Sequence, residues 1–192
     1  MPQLKLIFYA DTTPIQDIPA ADGFRLRNTL DSDLAEYNRL RSSVEFNVWE
    51  PEYLAEYRKK TLSDGMFAIE ELKTGKLTAA ASAELMIQPE FADVGYLGWV
   101  MTDPEYRGLR LGKCASVAAM RRLYQEGYRV FMLHTDDFRI PALKVYLSLG
   151  WKPWLYLDEM EARWRAIAAK LELPFESLGA LPQEILFPRK RS

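Results

Sequence analysis

The chain has 192 residues, of which 48% are hydrophobic and 27% are charged, a balance that predicts one soluble globular domain with a sizeable core. The formal net charge of −2 argues against a nucleic-acid partner, and the single cysteine and single histidine exclude an internal disulfide and a Cys/His zinc site, so we expect no metal. The sequence has no apolar stretch of roughly 18 residues and no signal-peptide pattern, so we expect a cytoplasmic protein without membrane contact.

The first half of the chain reads as short strands interrupted by two helices. Asp31–Asp33 can cap a helix that begins at Leu34, and Pro51 suits the first turn of a second helix over 51–62. Thr74-Gly75-Lys76 is typical of a hairpin turn. Alternating or apolar runs predict strands at 4–9, 24–30, 66–72, 77–87 and 96–101.

The second half alternates between helices and strands. Gly127 and Gly150 stand where helices should end. The predicted order is helix 113–126, strand 129–134, helix 140–149, strand 151–157 and helix 159–171. Together the two halves predict an α/β (α+β) domain, with one mixed central sheet flanked by helices and a helical C-terminal extension.

A cationic, glycine-bearing turn precedes the helix at 113–126. Its seven residues are Arg107, Gly108, Leu109, Arg110, Leu111, Gly112 and Lys113. A helix N-terminus has unpaired N–H groups and a partial positive charge, so a flexible turn leading into it can bind a pyrophosphate. The glycine spacing fits neither the P-loop nor the dinucleotide fingerprint. Taken alone, the pattern also fits a turn that only connects two elements.

Two separate segments carry a family resemblance. The turn has Arg107 and Gly112 at the ends of the pattern Arg/Gln-x-x-Gly-x-Gly/Ala, with Arg110 at the inner glycine position. Downstream, Ala142, Tyr146 and Gly150-Trp151 match Ala-x-x-x-Tyr-x-x-x-Gly-Phe/Trp. With the order of elements, these residues make 24–154 resemble the GCN5-related N-acetyltransferases (GNAT family). The resemblance implies a single domain over 1–192, with an acetyltransferase core at 24–154 and a C-terminal helix and tail at 155–192.

The resemblance also implies how acetyl-CoA would bind as the acyl donor. Strand 96–101 would bond the pantetheine arm, with Trp99, Val100 and Met101 nearest to it, and the amides of the turn would hold the pyrophosphate. The thioester would lie where strands 96–101 and 129–134 diverge. A primary amine of a small molecule or peptide would attack it directly in a ternary complex.

Four residues are candidates for proton transfer. Tyr146 occupies the position at which the family protonates the departing thiolate. A base must take a proton from the amine, and the family's glutamate position falls on Tyr96. The candidate bases nearby are therefore Glu84, Asp93 and His134. Asp136 and Asp137 could bind a cationic substrate, or could form a solvated turn and a helix cap.

The acceptor itself is not identified by any motif. The resemblance places its pocket at 42–53 and 88–95, where Asn47, Trp49 and Glu50 are plausible lining residues. A rival hypothesis is a non-catalytic acyl-CoA-binding regulatory module. A homodimer is compatible with the sequence.

Overall fold

The computed structural model describes residues 1–185, 187 and 190. Its strands are β1 (Leu4–Tyr9), β2 (Phe24–Asn28), β3 (Thr61–Glu71), β4 (Leu77–Leu85), β5 (Val94–Thr102), β6 (Val130–Thr135) and β7 (Lys152–Pro153). Its α-helices are α1 (Leu34–Ser43), α2 (Pro51–Arg58), α3 (Leu111–Gln125), α4 (Ile140–Leu149) and α5 (Met160–Lys170). Within these residues the strands form one sheet, in the spatial order β2-β3-β4-β5-β6-β1-β7.

The sheet is mixed because one pair of neighbouring strands is parallel. β5 and β6 are joined through α3 and run in the same direction, whereas the other neighbouring pairs are antiparallel. The N-terminal strand β1 lies between β6 and β7. Its residues Leu4, Leu6, Ile7 and Phe8 are fully buried, so this strand is part of the central core.

One face of the sheet is covered by α3, α4 and α5. Apolar side chains of α3, such as Met120 and Leu123, pack on alternate residues of β3, β4 and β5 in one continuous core. The fully buried Trp164 of α5 and Trp151 after α4 belong to the same core. The C-terminal helix therefore packs into the main core.

The opposite face is covered by α1 and α2 and by residues near the C-terminus. Tyr37, Leu40, Leu54 and Tyr57 of the two helices pack on β3 and β4. A separate apolar cluster around Trp154 covers the other half of this face. Glu84 of β4, Tyr96 of β5 and His134 of β6 come from the strands between these two clusters.

Three predicted boundaries are wrong for local reasons. α2 ends at Arg58 because Thr61 already pairs with Glu84 in the sheet. α3 begins at Leu111 and not at Lys113. β7 is only two residues long, since Pro153 has no N–H to donate to a sheet and lies in the edge strand.

The predicted fold class is confirmed: a mixed central sheet is flanked by helices, and further helices lie near the C-terminus. The division into a core at 24–154 and an extension at 155–192 stays a prediction. Of that extension, residues 186, 188–189 and 191–192 lie outside the described part of the chain.

Candidate active site

A fork in the sheet forms where β5 and β6 separate. Their parallel pairing covers only Val94–Tyr96 on β5 and Val130–Met132 on β6. Beyond Tyr96, β5 pairs with β4 alone among the described residues. Backbone groups of β5 are thereby left available to an extended ligand that binds as an added strand.

A bulge in β5 lies inside this fork. The register between β4 and β5 shifts between Ala80 and Ser82, so that Gly98, Trp99 and Val100 are accommodated against a shorter stretch of β4. Trp99 adopts a left-handed backbone conformation with φ of 44°, which is strained for a bulky residue. Such strain is typical of functional sites, where surrounding structure holds it in place.

The predicted anion-binding turn connects β5 to α3 beside the fork. Residues 107–110 are exposed, and Arg110 has φ of 60° and ψ of 15°, a left-handed conformation that glycine adopts with least strain. No side chain caps the N-terminus of α3, so its first N–H groups point toward the turn. Arg107, Arg110 and Lys113 form no ion pair within the described part of the chain.

Gly112 brings the N-terminus of α3 against the end of β5. A Cβ atom at Gly112 would lie 2.1 Å from the Thr102 hydroxyl oxygen, so a side chain here would push the helix away from the strand. Gly112 lies within the first helical turn and not in the loop. The glycine therefore permits the close approach of helix and strand, while the exposed residues 107–110 form the turn itself.

Glu84 brings a carboxylate to the opening of the fork. Its Oε1 accepts hydrogen bonds from Tyr57 of α2 at 2.6 Å and from Ser82 at 2.9 Å. A Cβ atom at Gly98 would lie only 1.4 Å from the same oxygen, so the carboxylate occupies space that the glycine leaves free. Glu84 is thus held against β5, one residue before the bulge at Trp99.

Burial raises the pKa of the Glu84 carboxyl, and the hydrogen bonds from Tyr57 and Ser82 offset part of that rise. The carboxylate is consequently a stronger base than an exposed glutamate. Because a base works best when its pKa approaches the working pH, this shift suits proton abstraction.

His134 lies on β6, which β5 separates from Glu84 of β4, and it has a different environment. Its ring packs edge-on against Tyr96, with 5.2 Å between ring centroids, and its Nε2 is buried without a hydrogen-bond partner among the described residues. Burial, followed by the charge of Lys5, lowers the pKa of His134 to about 4. His134 is therefore neutral at pH 7 and weakly basic.

Tyr146 is buried on α4, on the other side of the sheet from α1 and α2. Its ring contacts Trp151 edge-on at 6.4 Å between centroids, in the core under α4. Burial raises the pKa of its phenol, and the charge of Arg139 offsets part of this effect. The hydroxyl therefore stays protonated at neutral pH and can donate a hydrogen bond, but it is not available as a phenolate base.

The sequence analysis did not predict a role for Arg41, whose side chain is buried under α1 and α2. Its side chain is among the largest that are fully buried, and its guanidinium carbon lies 4.0 Å from the ring centroid of Trp49 and 4.3 Å from that of Trp99. The available signal was its position four residues after Tyr37, on the apolar face of α1. Gly98 was also missed, although a glycine inside a strand often marks a close approach.

Aromatic and cationic contacts bridge the two sides of the fork. Phe46, between α1 and α2, meets Trp99 edge-on at 5.3 Å. The Arg139 guanidinium lies 4.6 Å from the Phe46 ring and 5.2 Å from that of Phe138. The segment 44–50 and the loop before α4 are thereby joined across the open end of the fork.

The acidic pair before α4 is already occupied. Asp136 forms an ion pair with Arg139 at 3.2 Å, and Asp137 bonds Arg163 of α5. These contacts favour a structural role over the binding of a cationic substrate. Among the described residues, no group of three or more His, Cys, Asp or Glu side chains is arranged to hold a metal, and no helix is long and apolar enough to cross a membrane.

A sequence model of the acetyltransferase (GNAT) family matches residues 32–151, which include the fork, the turn and α4. Over 92 residues, or 47% of its length, the chain is 33% identical to the mycothiol acetyltransferase of Thermobispora bispora. The matched region is 30% of that relative, so the chain spans less than a third of its length.

Solved structures share the fold at low sequence identity. A tandem GNAT protein of the clavulanic acid biosynthesis pathway is 16% identical, with a TM-score of 0.61 over 80% of this chain and 50% of that one. A phosphinothricin acetyltransferase from Sinorhizobium meliloti, in complex with acetyl-CoA, is 15% identical, with a TM-score of 0.57 over 67% and 74% of the two chains. At these identities the likeness concerns the fold alone.

Proposed function

Because the chain belongs to the acetyltransferase (GNAT) family, we propose that it transfers an acetyl group from acetyl-CoA to a primary amine of a small molecule or peptide. The observation that carries the proposal is the fork between β5 and β6, with an uncapped, cation-bearing helix N-terminus beside it and the Glu84 carboxylate at its opening. The similarity to mycothiol acetyltransferase over about half of the chain supports a small-molecule acceptor.

Two regions would hold acetyl-CoA. The exposed turn at 107–110 and the first N–H groups of α3 would bind the pyrophosphate, with Arg107, Arg110 and Lys113 adding positive charge. The free edge of β5, from Leu97 through Met101, would bond the pantetheine arm. With both contacts made, the thioester would lie near Trp99, next to the Glu84 carboxylate.

Glu84 is the base in this proposal. The acceptor arrives as an ammonium ion, and the carboxylate takes one of its protons, directly or through a water molecule. The neutral nitrogen then attacks the thioester carbonyl carbon, and a C–N bond forms. Tyr57 and Ser82 keep Oε1 in place, so the second carboxylate oxygen is available to accept the proton.

The remaining steps need two hydrogen-bond donors. A backbone N–H of β5 near the Trp99 bulge would stabilise the oxyanion of the tetrahedral intermediate. As the C–S bond breaks, the CoA thiolate leaves and Tyr146 donates a hydrogen bond or a proton to its sulfur. The nitrogen loses its second proton in the same step, to the Tyr146 phenolate where one has formed and otherwise to water. Because burial raises the pKa of Tyr146, we expect hydrogen bonding to contribute more than complete proton transfer.

The alternative is a regulatory module that binds acyl-CoA without turnover. The observation in its favour is the set of aromatic contacts that joins Phe46, Trp49 and Trp99 at the acceptor side of the fork. Thiol release from acetyl-CoA, measured over a panel of primary amines, together with calorimetric binding of CoA, separates the two. Turnover with at least one amine supports transfer, whereas tight CoA binding without turnover on any amine supports the module.

A further inference from the structure

We propose that Arg41 binds a carboxylate group of the acceptor, so that the substrates are amines that also carry a carboxylate. The inference rests on the proposed function, because it concerns the acceptor of that reaction. It is carried by a guanidinium that is buried next to the fork and has no counter-ion among the residues that the structure describes.

The guanidinium is only partly satisfied by the protein. Arg41 is 1% exposed, and its Nε donates to the Asn47 carbonyl oxygen at 2.6 Å. Its Nη1 is buried and has no hydrogen-bond partner, and the side chain forms no ion pair with any carboxylate in the described part of the chain. The rings of Trp49, Trp99 and Phe46 lie against the guanidinium, and the Tyr37 hydroxyl interacts with it as well, so Nη1 is the nitrogen left without a partner among the described residues.

An arrangement of this kind is costly in the free protein. A guanidinium remains charged at neutral pH, and a buried charge without a partner loses its hydration with little return. The indole faces compensate part of this loss through cation–π attraction, but they accept no N–H hydrogen bond in the ring plane. A ligand with a negatively charged oxygen next to Nη1 would supply the hydrogen-bond acceptor and the counter-ion that the described residues do not provide.

Contacts through Trp49 and Tyr57 connect Arg41 to Glu84, the proposed base. Trp49 contacts the Arg41 guanidinium on one side and the Tyr57 ring, at 4.6 Å between centroids, on another. The Tyr57 hydroxyl bonds Glu84. The face under α1 and α2 thus has a positive group and a negative group separated by aromatic rings, and this pattern matches an acceptor whose carboxylate meets Arg41 while its ammonium meets Glu84.

A carboxylate fits this place better than a phosphate. The guanidinium is held against two indole rings that meet at nearly a right angle, with 5.4 Å between their centroids, so its contact with a ligand is limited to Nη1. One unpaired nitrogen also matches a single negative charge.

The test compares acids with their amides. Each ω-amino acid from glycine to 6-aminohexanoate is paired with its primary amide, and kcat/KM is measured by CoA thiol release at equal concentrations of neutral amine. We expect at least one acid to be preferred over its amide by about 10- to 150-fold, the range for a hydrogen bond to a charged group. Arg41→Gln should abolish this preference, and Arg58→Gln, which removes an α2 arginine paired with Asp31, should retain it.

Other outcomes would contradict either the role of Arg41 or the proposed function. Equal use of acids and amides by the wild-type protein overturns the inference, and so does a preference for 2-aminoethyl phosphate over all the carboxylates. No turnover with any amine contradicts the proposed function instead. If Arg41→Gln does not fold, Arg41→Lys keeps the charge without the planar fork, and an unchanged acid preference in that variant also overturns the assignment.

Discussion

The two faces of the central sheet differ in what they bury. Under α3, α4 and α5 the sheet contributes apolar side chains to one continuous core. On the opposite face the same strands present the ionisable side chains of Glu84, Tyr96 and His134. The helices α1 and α2 add the buried Arg41 and Tyr57 to this face. Because successive residues of a strand point to opposite faces, one set of strands provides stability on one side and chemical groups on the other.

At the bulge in β5, successive side chains stop alternating between the two faces of the sheet. Leu97 and Val100 pack into the core under α3. Between them, Gly98 faces Glu84 and Trp99 faces the aromatic cluster of α1 and α2, so two successive residues serve the same face. The bulge therefore directs an additional residue toward the proposed acceptor site.

The largest predicted effect concerns the apolar face. Trp164→Ala removes a fully buried indole, so we expect a loss of about 3–5 kcal/mol in the free energy of unfolding and a fall of roughly 6–20 °C in Tm. Well below the new Tm, KM for the amine should not change. Thermal unfolding and amine titrations measure both quantities, and Trp164→Phe, which keeps a ring, should lose less. A changed KM would show that the two faces are not separate in function.

The next prediction concerns the charged face. Glu84→Gln should lower kcat/KM by about 100- to 1000-fold, because general-base catalysis contributes on this scale, while the Kd for CoA stays unchanged. The rise of activity with pH through the Glu84 titration should disappear in the variant. Glu56→Gln on the exposed side of α2 is the matched control. A pH profile identical to that of the wild type would exclude Glu84 as the base.

The Glu84→Gln substitution should also alter how the free energy of unfolding depends on pH. Since burial raises the pKa of Glu84 in the folded state, the folded protein binds a proton more tightly than the unfolded chain does. Proton binding at Glu84 therefore stabilises the folded wild type below the pKa of the unfolded chain. This stabilisation is lost as the pH rises through the higher pKa of the folded protein. The free energy of unfolding of Glu84→Gln, taken relative to that of the wild type, should therefore be higher at pH 7 than at pH 4. Urea unfolding at the two pH values measures this difference.

Local patterns predicted the elements of the fold well, but not their pairings. The run Leu4–Tyr9 was predicted as a strand, and its place between β6 and β7 was not, because that pairing joins residues more than 120 positions apart. The anion-binding turn was predictable because its chemistry lies in consecutive residues. Glu84 was one candidate base among several, since its contact with Gly98 depends on the register of β4 and β5. Arg41 was missed because its burial depends on Trp49 and Trp99, which follow it by 8 and 58 residues.

A smaller effect is expected from Tyr146, whose side chain lies in the apolar core but whose hydroxyl is proposed to serve the reaction. Tyr146→Phe should lower kcat by about 10-fold and leave the Kd for CoA nearly unchanged, as expected when a hydrogen bond to the leaving thiolate is lost. Tyr128→Phe removes a hydroxyl from the same core and provides the control. Unchanged turnover in Tyr146→Phe would assign this residue to packing alone.

The smallest effect on activity is expected from His134, which shares the charged face with Glu84. His134→Gln should change kcat/KM by less than about 3-fold, because a group with a pKa of about 4 is a weak base. Its effect should appear in acid stability. The pKa of His134 is lowered on folding, so the wild type should lose up to about 3 kcal/mol of stability as pH falls from 7 to 4, and the variant should not show this part of the loss. Lys5→Met should reduce the same loss only partly, since the charge of Lys5 is a smaller cause of the shift than burial is. Urea unfolding at several pH values measures these differences, and a 100-fold fall in kcat/KM for His134→Gln would instead move the proposed base from β4 to β6.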